Sequence, residues 1–299
     1  MLGIFISFET TKSLCSLKEC YVQLTSNCET EFEKCDGMKL NSHRFKGKVV
    51  LVTGSGSGIG KAIALSFAKE SADLVVNDID FELACEVAAE IEKIGCRSVP
   101  IKADVSDFAQ VQKMVRHTLG DFQRIDVLVN NACVGSIGLP VEEIDAQQWN
   151  VAIGTCLNGT FFCSQAVGKG MIKRKSGKII NISSLGGLAA APFAAEYTSA
   201  KHGVIGLTKA LAVEWSRYNV NVNCICPGVV DTSMFRAYAR KFPDLARDRI
   251  RAIPKGKIAT PEDVAKAAKF LASNEADYLA GAILCVDGGS FALLSGYFL

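Results

Sequence analysis

The sequence predicts one doubly wound α/β domain, a parallel seven-stranded sheet with helices on both faces. Three observations predict it. Short β-branched apolar runs alternate with segments of helical periodicity from Lys48 to Val286. The first run is followed by a glycine-rich turn, Thr53-Gly54-Ser55-Gly56-Ser57-Gly58-Ile59-Gly60, and then by a helical segment. Polar and turn residues from separate parts of the chain fall at the carboxyl ends of the expected strands, where open α/β sheets take their ligands.

The elements follow in order. Lys48 to Val52 reads as a buried strand, and Lys61 to Glu70 as a helix that places Ile63, Phe67 and Ala68 on one face. Asp73 to Asn77 is the second strand and ends at Asp78. The next helix runs from Phe81 to Ile94, capped by Asp80 and closed by Gly95. Ser98 to Lys102 is the third strand, before Asp104-Val105, and a helix from Phe108 to Leu119 follows it. Ile125 to Val129 is the fourth, before Asn130-Asn131-Ala132-Cys133. A long helix is expected from Ala146 to Lys173. Lys178 to Ile182 is the fifth strand, with Ser183-Ser184 at its end. A second long helix covers Ala195 to Arg217. Val220 to Cys226 is the sixth strand, stopped by Pro227-Gly228. A basic insertion reaches Lys257, Pro261 opens another helix, and Ala282 to Val286 is the seventh strand.

The 299 residues suffice for one large domain, and 49% hydrophobic content suits a buried parallel sheet. A net charge of +2 creates no global field for nucleic acid or acidic membrane, so neither is an expected partner. No apolar run is long enough to span a bilayer, and Met1 to Phe8 lacks the basic start of a signal peptide. Residues 1–44 read as a poorly ordered extension to a domain at 45–299, with Met38 as an alternative start. Of twelve cysteines, eight lie scattered through the α/β region and read as small core hydrophobes in a reducing, cytoplasmic compartment. Cys15, Cys20, Cys28 and Cys35 match no common zinc spacing, and no metal site is expected. They read as loose thiols or as a thiol-based interaction segment.

The glycine turn permits backbone N–H groups to approach a pyrophosphate, with the helix N-terminus adding partial positive charge. Its spacing is T-G-x-x-x-G-x-G, on Thr53, Gly54, Gly58 and Gly60. Tyr197 and Lys201 are four apart on an expected helix and share a face. A phenol is a poor base near neutral pH, but a nearby ammonium favours the phenolate. Such a pair can exchange a proton with a carbonyl or alcohol oxygen. Ser184, thirteen residues before Tyr197 at a strand end, is placed to hold the same oxygen. Taken alone, Tyr-x-x-x-Lys reads first as a half-buried Tyr and an exposed helical Lys, with Ser184 an ordinary loop serine. The upstream glycine turn and the serine at this offset together reverse that reading.

These residues resemble a known family, the classical short-chain dehydrogenases/reductases. The resemblance covers about residues 45 to 290. It rests on Thr53-Gly54-x-x-x-Gly58-x-Gly60, Asp104-Val105, Asn130-Asn131-Ala132, Asn181-Ile182-Ser183-Ser184, Tyr197-x-x-x-Lys201, Pro227-Gly228 and Asp287-Gly288-Gly289. It implies a Rossmann-type fold and an NAD(P)-dependent alcohol dehydrogenase or ketone reductase. Tyr197 would be the general acid/base, Lys201 would hold the nicotinamide ribose and lower the Tyr197 pKa, and Ser184 would polarise the substrate carbonyl. Cofactor contacts are assigned to Gly54, Ser57, Gly58, Ile59, Gly60, Asp78, Asp104, Val105, Asn130, Tyr197, Lys201, Pro227, Gly228, Val230 and Thr232. Asp78 can accept from a ribose hydroxyl and would repel a 2′-phosphate. Ser57 and Ile79 supply no cation, so NAD is preferred to NADP. A homotetramer is expected, with Phe161, Phe162 and the tail Phe291 to Leu299 available for contacts or for the core.

Two departures stand out. Cys133 takes the place of the family's glycine after Asn-Asn-Ala. Cys156 takes the place of the family's asparagine, which supports a helix irregularity and a water linked to the lysine. A thiol cannot reproduce the hydrogen bonds of an amide. The segment from about 229 to 257 would cover the substrate, and it carries eight cations from Arg236 to Lys257 against Asp244 and Asp248. That charge suits an acidic thioester carrier or CoA, although a solvated helical face is the more frequent explanation of such a run. Two readings are carried forward. One is hydride transfer between NAD(H) and a secondary alcohol or ketone, with a 3-hydroxyacyl/3-oxoacyl thioester first and sugars, polyols or steroid-like alcohols behind it. The other is a catalytically impaired NAD-binding scaffold or redox-responsive protein.

Overall fold

The first strand, β1 (Val49–Thr53), is buried throughout. Successive side chains of a strand point to opposite faces. Val50 and Val52 accordingly join one core, and Val49 and Leu51 another. A strand buried on both faces is the mark of a sheet covered on both sides. The computed structural model describes residues 43–293. Met38, the four N-terminal cysteines and the tail beyond residue 293 lie outside the described residues.

The chain continues through α1 (Gly58–Ala68), β2 (Asp73–Asp78), α2 (Phe81–Lys93), β3 (Ser98–Lys102), α3 (Phe108–Phe122) and β4 (Val127–Asn130). Then come α4 (Ala146–Ala152), a π-helical turn (Ile153–Asn158), α5 (Gly159–Arg174), β5 (Gly177–Ile182), α6 (Ala195–Trp215) and β6 (Val220–Pro227). The chain closes with α7 (Ser233–Lys241), α8 (Pro243–Arg251), α9 (Pro261–Ala272) and β7 (Ile283–Val286). The seven strands form one sheet in the order β3-β2-β1-β4-β5-β6-β7. Every neighbouring pair is parallel. The order reverses between β1 and β4, so a crevice opens there beyond the strand ends.

Helices α1, α2 and α9 cover one face through Ile63, Phe67, Val87, Ile91, Val264 and Leu271. Helices α3, α5 and α6 cover the other through Met114, Phe122, Val167, Met171 and Leu211. Phe67 is fully buried and meets Phe45 edge-to-face at 4.8 Å. Burying one such side chain contributes about 1.5–3 kcal/mol. Asp80 caps α2 by accepting from Glu82 N at 3.0 Å, and Gly95 follows with φ +95°.

Two expectations change. The helix expected from Ala146 to Lys173 is divided by a π turn at Ile153–Asn158. A π turn takes in one extra residue, a local change that apolar periodicity over a long segment averages away. The insertion before Lys257 is two helices, because Phe242 leaves helical geometry and Pro243 starts α8.

Candidate active site

The glycine turn joins β1 to α1 and is fixed by contacts that forbid side chains. Gly54 and Gly58 have φ of +60° and +54°. A Cβ at Gly60 would lie 2.2 Å from the Gly54 carbonyl oxygen, so glycine there lets the helix pack against the turn. Asn131 Nδ2 donates to the carbonyls of Thr53 and Gly54 at 2.9 and 2.8 Å. Thr53 Oγ1 in turn accepts from the backbone N–H groups of Asn131 and Ala132. Asp78 ends β2 and accepts from Gly56 N at 2.8 Å. Ser57, the N-cap of α1, makes no side-chain cap, so the first N–H groups of the helix stay available to an anion. A turn in which Gly54, Gly58 and Gly60 carry no Cβ, an open helix N-terminus and a carboxylate at the next strand end fit a dinucleotide.

The turn forms one wall of a cleft of about 1470 Å³ beyond the carboxyl ends of the strands. Gly54, Ser57, Gly58, Ile59, Asp78, Asp104 and Val105 line it on one side. Ser184, Tyr197, Lys201, Pro227, Gly228, Val230 and Thr232 line it on the other. Gly60 and Asn130 do not. Gly60 is turned into the helix–strand contact. Asn130 is buried at the end of β4, where its Nδ2 donates to Ser164 Oγ at 2.9 Å and to Asn181 Oδ1 at 2.8 Å. Side chains alternate along a strand, so the neighbouring Asn131 faces the cleft instead.

Helix α6 carries Tyr197 and Lys201 on one face, with Lys201 Nζ 5.6 Å from the Tyr197 ring centre. Lys201 is 3% exposed and donates to the Ile182 carbonyl at 2.8 Å. Ser184 follows β5, and its Oγ accepts from Gly186 N at 3.0 Å. The adjacent Ser183 is buried and donates to the Lys201 carbonyl, so it supports the helix. Burial pushes the Tyr197 phenol up; Lys201 pulls it down, Cys133 pushes it up and Ser184 pulls it down. The net direction is upward, opposite to what the ammonium alone leads one to expect, because burial outweighs the charge. Burial disfavours the Lys201 ammonium, but negative charge on Cys133 and Tyr197 outweighs burial and holds it above the ordinary lysine range.

Two thiols complete this corner. Cys156, in the middle of the π turn, is 1% exposed, and its Sγ lies 2.7 Å from Cys133 Sγ. The irregularity is therefore present with cysteine in the asparagine's place. The hydrogen bond from Cys156, helped by the Lys201 ammonium, pulls Cys133 down to about 6 against the opposing effect of burial. Cys156 moves upward for the same reason and keeps its proton. Cys163 behaves as the sequence suggests for a core thiol, pushed up to about 12 by burial. The pairing of Cys133 with Cys156 is not visible in their spacing.

Helices α7 and α8 form the outer wall, which Met234, Phe235, Tyr238, Phe242 and Leu245 make apolar. Of the eight cations only Lys241 and Arg249 line the cleft. The Arg249 guanidinium lies 4.9 Å from the Tyr238 ring centre. Arg236 is paired with Asp231 on the exposed side. Thr232 caps α7 through Phe235 N at 3.2 Å.

The family model described as enoyl-(acyl carrier protein) reductase matches residues 54–290. (2S)-[(R)-hydroxy(phenyl)methyl]succinyl-CoA dehydrogenase subunit BbsD of Thauera aromatica is 40% identical over 82% of this chain and 96% of its own length. The 3-oxoacyl-[acyl-carrier-protein] reductase FabG of Thermotoga maritima is 38% identical over 82% and 98%. D-threitol dehydrogenase of Mycolicibacterium smegmatis is 39% identical over 82% and 94%. Among solved structures, levodione reductase superposes with a TM-score of 0.81 at 33% identity, over 84% of this chain and all of its own. A putative NAD(P) dependent gluconate 5-dehydrogenase from Beutenbergia cavernae, solved with bound NADP at low occupancy, gives 0.80 at 36% over the same shares.

Proposed function

The chain belongs to the short-chain dehydrogenase/reductase family, and on that premise we propose that it transfers hydride between NAD(H) and a 3-hydroxyacyl/3-oxoacyl thioester. The observation that carries this reading is the convergence of Ser184, Tyr197 and Lys201 on the cleft walled by the glycine turn. Bound nicotinamide supplies or accepts the hydride. The turn from Gly54 to Gly60 and the N-terminus of α1 would hold its pyrophosphate, and Asp78 the adenosine ribose. Tyr197 moves the proton at the substrate oxygen, Ser184 donates to that oxygen, and Lys201 keeps the phenolate accessible against the cost of its burial.

NAD rather than NADP is supported by the carboxylate of Asp78 in the cleft and by Ile79 and Ser57 beside it, neither of which is a cation. A neighbour holds NADP, so the preference is a measurable point. An acyl thioester is supported by the apolar wall of α7 and α8 with Lys241 and Arg249 among it, a combination suited to an acyl chain with an anionic carrier. Two of the relatives act on acyl thioesters by name, and a third on a polyol. A homotetramer belongs to the same reading, supported by Phe161 on α5 and Val213 on α6, which are 39% and 83% exposed. Multi-angle light scattering measures it. A cytoplasmic location is supported by the eight free thiols among the described residues.

The test is oxidation of NADH and NADPH by the purified protein across 3-oxoacyl thioesters, simple ketones and keto-sugars, with Tyr197→Phe in parallel. Turnover of a 3-oxoacyl thioester that vanishes in Tyr197→Phe is expected. Turnover restricted to keto-sugars overturns the substrate class. NADH binding without turnover on any substrate, unchanged in Cys156→Asn, supports the scaffold reading instead.

A further inference from the structure

Cys133 and Cys156 come from different elements, the loop after β4 and the π turn, yet their sulfurs are 2.7 Å apart. A disulfide requires about 2.0 Å, so a small approach would join them. Cys133 is half-buried and lines the cleft, open to small solutes, while Cys156 lies behind it. Among the described residues Cys224 and Cys226 are also close, but they sit two apart on β6 and are fully buried against Val204 and Ile205.

We propose that Cys133 and Cys156 form a modification site, at which a hydroperoxide oxidises the two thiols to an intramolecular disulfide that resets the pH dependence of proton transfer at Tyr197. The Cys133 sulfur attacks the terminal peroxide oxygen: an S–O bond forms, the O–O bond breaks, and the alkoxide leaves with the Cys133 proton as alcohol. The Cys156 sulfur then attacks the Cys133 sulfur: the S–S bond forms, the S–O bond breaks, and hydroxide leaves with the Cys156 proton as water. The thiols lose two electrons, and the peroxide gains them in becoming alcohol and water. Cys133 suits the attacking role because the Lys201 ammonium and the Cys156 thiol favour its thiolate. Cys156 is the resolving thiol already in contact.

The effect on turnover rests on the role proposed above for Tyr197; the disulfide does not. Tyr197 faces Lys201 on its own helix, Cys133 after β4, Cys156 in the π turn and Ser184 after β5. Lys201 faces the same thiols and, from β6, Cys224 and Cys226. A thiolate at Cys133 opposes the phenolate. A disulfide is uncharged and removes that opposition, while Lys201 stays in place.

The experiment treats the reduced full chain with hydrogen peroxide, alkylates it unfolded and maps the peptides. The expected result is one linked pair containing Cys133 and Cys156, two fewer alkylatable thiols, and reversal by dithiothreitol. In Cys156→Ser, Cys133 should stop at the sulfenic acid and be trapped by dimedone. Cys133 and Cys156 that both remain alkylatable, or that link to other cysteines, overturn the proposal; the wild-type map stands whether or not the variant folds. In the oxidised protein the midpoint of alcohol oxidation against pH should move to lower pH. A midpoint that stays or rises overturns the coupling to Tyr197. A linked pair in a protein with no dehydrogenase activity upholds the modification and refutes the enzymatic reading, so the two failures differ.

Discussion

The two walls of the cleft are built on different physics. Around the glycine turn, position is fixed by backbone contacts: Asn131 holds two carbonyls, Asp78 holds Gly56, and Gly60 fits only without a Cβ. Around Tyr197 charge matters beside position. A phenol, an ammonium and two thiols share a poorly hydrated corner, and each changes the protonation of the others. The first wall is governed by shape. The second is governed by charge as well.

The largest way to break that contrast is Lys201→Met, which keeps length and removes charge. Turnover should fall by about 10²–10⁴-fold, the range of a lost acid–base contribution. The residual rate should have its midpoint moved to higher pH, since Lys201 is what lowers Tyr197. A pH–rate profile measures both. Next is Gly60→Ala. Forcing a methyl 2.2 Å from a carbonyl oxygen shifts backbone, and such overpacking costs about 1–3 kcal/mol. Thermal unfolding and NADH titration should both weaken, with an unchanged pH midpoint. A moved midpoint would show the walls to be one unit.

Asp78→Ser should weaken NADH binding by a smaller amount, since a lost hydrogen bond to a charged acceptor is worth about 1.5–3 kcal/mol and serine recovers part of it. NADPH should bind better relative to NADH; a ratio that stays put refutes the assignment of the ribose to Asp78. The smallest effect is that of Cys133→Ser. It removes a charge that opposes the phenolate, so the midpoint should move to lower pH by about a unit or less. Lys201→Met and Cys133→Ser thus shift the same profile in opposite directions.

What was legible in the sequence follows the same division. The seven strands, the Asp80 cap and the glycine turn are local patterns of a few residues, and local patterns survive translation into structure. The π turn interrupts a segment that periodicity reads as one helix, and only the place of Cys156 in the resembling family's pattern points to an irregularity there. Which of Asn130 and Asn131 faces the cleft depends on a one-residue phase that a run of two asparagines leaves undetermined. The upward shift of Tyr197 depends on burial, a property of the folded site that the four-residue spacing to Lys201 does not contain. The contact of Cys133 with Cys156 joins a loop to a helix through the fold alone. Most of the eight cations of residues 236–257 belong to a solvated face, and only the placement of α7 and α8 separates Lys241 and Arg249 from the others.

The bond from Lys201 to the Ile182 carbonyl has a thermodynamic consequence. A free lysine side chain samples many rotamers, and confining it costs about 1.5–2 kcal/mol. Here the end of β5 has already confined it during folding. A ligand that meets this ammonium therefore encounters a fixed charge, and its arrival forfeits little further disorder at that position. The corner acts as a rigid mould, whose selectivity was set when the sheet closed.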